Sequence, residues 1–178
     1  MTLDELNFDA YRTDQLEHIE RHLAGSDVAG SHFSKGSFED ARALVDFALQ
    51  HVQDYNGQVL VREVDLEREV GYDAVVSLEG LPEGATLFQE PRGRNEYLAN
   101  IVSGVPKNPT TWMTIIAGPF GEDQHGFYTI HPGKSAPPFP VSEPELKEAG
   151  YEGTELTKQL ELNKSYAQFW EAHGFVKD

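Results

Sequence analysis

Cysteine is absent from the 178 residues. That absence excludes thiol catalysis, cysteine-based zinc sites and a disulfide framework, and it says nothing of compartment. Long apolar runs are absent too: none reaches the roughly 18 residues that a membrane-spanning helix needs. The first residues, Met1-Thr2-Leu3-Asp4-Glu5, are acidic and lack the apolar centre of a signal peptide. The expected location is cytoplasmic, or exported without a conventional signal peptide. Positive charge is scarce. Lys and Arg number 14 against 30 Asp and Glu, for a formal net charge of −16. A field of that sign argues against general binding to nucleic acid or to an anionic membrane.

The negative charge is uneven. Residues 1–90 hold 19 acids and 6 bases. Residues 91–134 hold Arg92, Arg94, Lys107 and Lys134 against Glu96, Glu122 and Asp123, so this segment is slightly positive. It is also the segment richest in strand signal, and a compact anionic ligand can be received there while the whole molecule repels polyanions.

The length suits one domain that buries about two-thirds of its unfolded surface. It divides into a helical part (1–57), a sheet (58–134) and a loop with a C-terminal helix (135–178). Leu16, Ile19 and Leu23 stripe a helix within 3–24. Ser37 is a good N-cap with Asp40 three residues on, and Ala41, Leu44, Val45, Ala48, Leu49 and Val52 form one continuous buried face. Asn56-Gly57 stops that helix. Val59 and Val61 alternate, and Val64 and Leu66 follow after a shift of one, the mark of a bulge. Short strands are expected over 73–78 and 86–89, and a short helix over 95–102. The runs Thr111 to Ala117 and Phe127 to Ile130, joined through Gly118-Pro119-Phe120-Gly121, form a hairpin. Residues 134–153 are loop, and Thr154 to His173 a helix. Helices first, strands next and a helix last give an α+β fold: an antiparallel sheet of four to five strands, with N-terminal helices packed on one face and a C-terminal helix.

The second hairpin strand empties into His131-Pro132-Gly133-Lys134. Loops held by a rigid scaffold are where function tends to sit. The strongest constellation joins His32 and Lys35 with Arg92, Arg94, Tyr128, Thr129 and His131. Cleavage of RNA by its own 2′-hydroxyl needs a base, an acid and cations around the phosphate. Histidines fit the first two roles, and Lys or Arg the third. Tyr and Thr donate hydrogen bonds. His18-Ile19-Glu20-Arg21-His22 puts two histidines one helical turn apart, but the glutamate falls on another face than in a zinc metalloprotease helix and no third ligand is placed. That pair reads as a solvated face, and neither metal nor cofactor is expected. His51 and His173 close helices, where an imidazole suits the dipole.

His-x-x-Lys ahead of a capped helix, followed by a sheet whose last strand ends in aromatic-Thr-x-His-Pro-Gly, resembles the metal-independent bacterial RNase toxins of the barnase, EndoU, colicin and RelE type over about residues 30–134. The resemblance implies an endoribonuclease with RNA or another phosphate-bearing ligand as partner. It implies active residues on the sheet face, here His32, Lys35, Arg92, Tyr128, Thr129 and His131. The strong acidity departs from that pattern. A competing expectation is a non-enzymatic, inhibitor-type protein whose acidic helices, Asp4 to Glu20 and Glu39 to Asp54, engage a basic protein partner.

Overall fold

A computed structural model describes residues 2–24, 26, 30–93 and 95–177. The chain groups into two compact units. The first contains residues 1–73 and 108–135, and the second residues 74–107 and 136–178. The expected helical part and hairpin fall in the first, and the C-terminal helix in the second.

In chain order the elements are α1 (Thr13–Glu20), β1 (His32–Phe33), α2 (Ala41–Leu49), β2 (Leu60–Asp65), β3 (Gly71–Asp73), β4 (Val75–Ser77), β5 (Thr86–Arg92), β6 (Tyr97–Ser103), β7 (Asn108–Thr110), β8 (Trp112–Pro119), β9 (His125–Pro132), α3 (Glu143–Glu148), α4 (Gly153–Ala172) and β10 (His173–Val176). The α+β class and the helices at both ends of the chain stand. The single sheet of four to five strands does not. The described strands form three sheets, ordered β1-β3-β7, β2-β8-β9 and β4-β10-β6-β5. Pairing is antiparallel except between β10 and β6, which run parallel.

The first unit is built on β2-β8-β9. Central β8 is largely buried, and its register is complete with β2 from Leu60↔Ala117 to Asp65↔Trp112. Its core face presents Met113, Ile115 and Ala117, which pack with Phe127 and Ile130 of β9 and with Leu44, Val45 and Ala48 of α2. The α2 stripe is as the spacing predicts. Its cap is Asp40 rather than Ser37: the Asp40 carboxylate accepts from Ala43 N at 2.8 Å. Strand β9 ends the sheet, and its free edge is covered. Asp9 N donates to His125 O at 2.9 Å and His125 N to Asn7 O at 3.2 Å. With its amide turned to donate, Gln15 of α1 reaches Tyr128 O and Phe127 O at 2.9 and 3.1 Å. An exposed edge of this kind is a template for unwanted pairing, and covering it is a common remedy.

The expected bulge near Val61 is absent, because β2 is regular. The irregularity lies in β9. Ile116 opposes Thr129 and Ala117 opposes Phe127, which leaves Tyr128 as an extra residue. Within the second unit, the helix expected over 95–102 is instead β6. Its seven-residue ladder with β5, from Thr86↔Ser103 to Arg92↔Tyr97, overrides the local preference. Inside the expected 134–153 loop lies α3, started by a capping box between Ser142 and Glu145.

Candidate functional site: a histidine cluster beside strand β9

Directly opposed residues of an antiparallel pair share a face. Ile115 with Ile130 and Ala117 with Phe127 face the core, so Thr114 with His131 and Ile116 with Thr129 lie on the other side. Glu63 and Val61 of β2 continue the two outer rows, opposite Thr114 and Ile116. Buried Thr114 donates its hydroxyl to Gly133 O at 2.7 Å, which pins the loop that follows His131. Gly133 has φ +96°, and a Cβ there would stand 2.6 Å from Asp73 Oδ2, so only glycine lets that carboxylate approach the strand end.

His22, in the turn after α1, completes the cluster. Its ring centroid lies 5.7 Å from that of His131 and 5.5 Å from that of His18. His22 Nδ1 lies 2.9 Å from Ser31 O, and because a carbonyl only accepts, Nδ1 carries the proton. In the neutral ring Nε2 is then a free base, and the Thr129 hydroxyl points to it at a long 3.5 Å. His131 is held the same way, its Nδ1 donating to Pro132 O at 3.0 Å. The result is two imidazoles side by side, each locked by main chain in the tautomer that frees Nε2.

Burial sets their charge. Desolvation is the largest influence on His22 and lowers its pKa from 6.5 to about 4; the Ser31 bond opposes it, and His131, His18 and His32 add to it. His131 is lowered too, mainly by desolvation, but the Pro132 bond and the carboxylates of Asp73 and Glu63 pull it back up. His18 is lowered by desolvation, then by Arg21 and His131. The expected solvated face for His18 and His22 is therefore corrected: both are partly buried against other imidazoles. The clue was Ile19, whose core position places its i+3 neighbour His22 at the core boundary. No group of three or more His, Cys, Asp or Glu among the described residues is arranged to hold a metal ion.

The residues singled out from sequence divide. Thr129 and His131 share the outer face of β9. His32 of β1 joins through its electrostatic influence on His22, and its Nε2 is buried without a hydrogen-bond partner among the described residues. Lys35 is exposed in the turn that follows. Tyr128 is engaged elsewhere: its hydroxyl donates to Pro119 O at 2.6 Å and its ring covers Gly118, where a Cβ would meet it at 2.5 Å. Arg92 belongs to the second unit, with its guanidinium 5.2 Å from the centre of the Phe175 ring. Arg94 lies outside the described residues.

No protein-family model matches the chain, and no curated protein matches it. A solved structure of a conserved hypothetical protein from Toxoplasma gondii ME49 is similar at 13% identity and a TM-score of 0.46, over 75% of this chain and 86% of that one.

Proposed function

We propose that the His22–His131 pair is an acid–base site and that its reaction is metal-independent cleavage of a phosphodiester, RNA being the substrate. The observation that carries this reading is the shared geometry: neighbouring imidazoles, each with Nδ1 tied to a carbonyl and Nε2 available. The toxin resemblance adds His131, His32, Lys35 and Thr129 as contributors. His22, with no carboxylate among the influences on it, is the base that takes the 2′-hydroxyl proton. The 2′-oxygen bonds to phosphorus, the bond from phosphorus to the 5′-oxygen breaks, and the 5′-oxygen takes a proton. His131 supplies that proton, because Asp73 and Glu63 favour its charged form. An incoming phosphate raises both lowered imidazole pKa values, since an opposite charge within a few ångströms stabilises the cation. Lys35 and Lys134, both exposed, supply charge to phosphate oxygens.

The inhibitor-type alternative draws less support. Several carboxylates of the acidic helices are engaged within the protein: Asp14 pairs with Arg12 at 3.0 Å, Asp40 caps α2, Asp46 accepts from Tyr11 and Asp54 pairs with Arg62 at 2.8 Å.

The test is incubation with end-labelled RNA in EDTA between about pH 5 and 8. Cleavage leaving 2′,3′-cyclic phosphate is expected. His22→Ala and His131→Ala each should lower it by about 100-fold or more, the usual worth of a general acid or base. Intact RNA throughout, or full activity in both variants, overturns the proposal.

A further inference from the structure

The second unit holds a cavity of about 410 Å³ that takes no part in the histidine cluster. That volume lies within the range of small-molecule sites. Its apolar lining is Pro138, Val141, Leu146 and Ala149, and Phe139, Tyr151 and Tyr166 line it with aromatic rings. One carboxylate, Glu145, faces it; Asn95, Gln159 and Asn163 supply neutral amides, and no Lys or Arg is among the described lining residues.

The walls are fixed by bonds that do not depend on a ligand. Asn163 grips the main chain of Val141 from both sides, donating to its carbonyl at 2.7 Å and accepting from its N–H at 3.3 Å. The Trp170 indole donates to Pro137 O and Pro138 O at 3.1 and 3.2 Å. Phe139 stacks on Tyr97 with ring centres 5.2 Å apart and meets Trp170 at 4.8 Å. Glu145 is held by the α3 capping box, with Oε2 accepting from Ser142 N at 2.7 Å and from Ser142 Oγ at 2.6 Å. Those bonds from Ser142 keep its carboxyl below the usual carboxylate range. A preset negative charge beside two tyrosines, in a lining otherwise largely apolar, matches one ligand chemistry well. Aromatic faces attract cations, most strongly ones that shed water easily, and quaternary or methylated ammonium groups are the usual guests of such cages.

We infer that this cavity binds an alkylammonium group, seated against Tyr151 and Tyr166 with its charge met by Glu145. The group comes either as a free small molecule or as the end of a methylated lysine side chain, and the same pocket chemistry serves both.

Calorimetric titration of the full chain with choline tests it, beside 3,3-dimethyl-1-butanol, the neutral carbon isostere. Choline should bind at least about tenfold more tightly than the isostere, since only the charge differs. Glu145→Gln should weaken choline about tenfold while leaving the isostere unchanged. The capping box accepts glutamine at that position, so α3 is retained and an unchanged far-UV spectrum confirms it. Tyr166→Ala should weaken both. A trimethyllysine peptide that outbinds choline assigns the side chain as the source; the reverse order assigns the free molecule. Equal binding of choline and its isostere, no heat with choline at 10 mM (roughly the weakest affinity such a cage leaves), or unchanged choline affinity in Glu145→Gln overturns the inference.

Discussion

His22 makes protonation and folding compete. Its folded pKa of about 4 lies below the ordinary 6.5, so the fold favours the neutral ring. The stability this confers is fully present above pH 6.5 and drains away as pH falls towards 4. Its size is about 2–3 kcal/mol once partial exposure is allowed for. Urea midpoints at pH 7 and pH 4.5 should fall apart more in the native chain than in His22→Gln, where that ionisation is removed. Equal falls would show that His22 is as well solvated as in the unfolded chain. His131 follows the same sign. Thr114 offers a second residue-scale test. Thr114→Val keeps the shape and removes the donor to Gly133 O, leaving a carbonyl that has lost its buried partner. It should cost about 1–2 kcal/mol in denaturant unfolding and, if the histidine site cleaves RNA, lower that cleavage without changing its pH profile by loosening the strand end.

At the scale of elements, periodicity was enough where one face alone meets the core. The α2 stripe, the 154–173 helix and the 111–130 hairpin could all be read from spacing, because an apolar row at 3.6 or 2 residues has one burial solution. Reading failed where partners decide. Tyr97 to Ser103 falls largely within a segment that reads locally as a short helix, and it becomes a strand because β5 supplies seven paired residues. His173 to Val176 could be read only as a helix end, yet it is β10, inserted between β4 and β6. The site was half legible. His131 and Thr129 announced themselves through an aromatic-Thr-x-His-Pro-Gly ending, but for His22 the i+3 spacing from Ile19 indicates only the core boundary, and its neighbours depend on the packing of α1 against the edge of β9. The short β1–β3 pairing that carries His32 depends on a close approach: a Cβ on Gly71 would stand 2.4 Å from His32 O. Gly71→Ala should therefore cost about 2–3 kcal/mol, as overpacking does, and displace His32, seen as a lowered melting temperature and a shifted His32 ring resonance. Asp40→Ala should cost about 1 kcal/mol through the lost cap, measured by denaturant titration, and leave the His32 resonance in place.

Across the whole molecule, the net charge of −16 opposes the proposed substrate. Basic nucleases lose RNA affinity as salt rises. Here long-range repulsion is what salt screens, with a Debye length of about 10 Å at 0.1 M. If the histidine site cleaves RNA, kcat/KM should rise from low salt to about 0.1 M before contact-range screening reverses it. A monotonic fall would show that a local basic surface governs the encounter. The same field bears on the second unit, where it attracts the alkylammonium ligand inferred for the cavity, so that equilibrium should weaken steadily with salt.

The extra residue in β9 has its own consequence for change by insertion and deletion. Phe127 and Ile130 face inward with two residues between them, so dropping Tyr128 restores plain alternation and keeps the imidazole of His131 on its own side of the sheet. Dropping Ile130 would instead turn His131 towards the core, because Thr129 before it already faces outward. Within β9, the bulge is where one residue can be lost without turning His131 into the core.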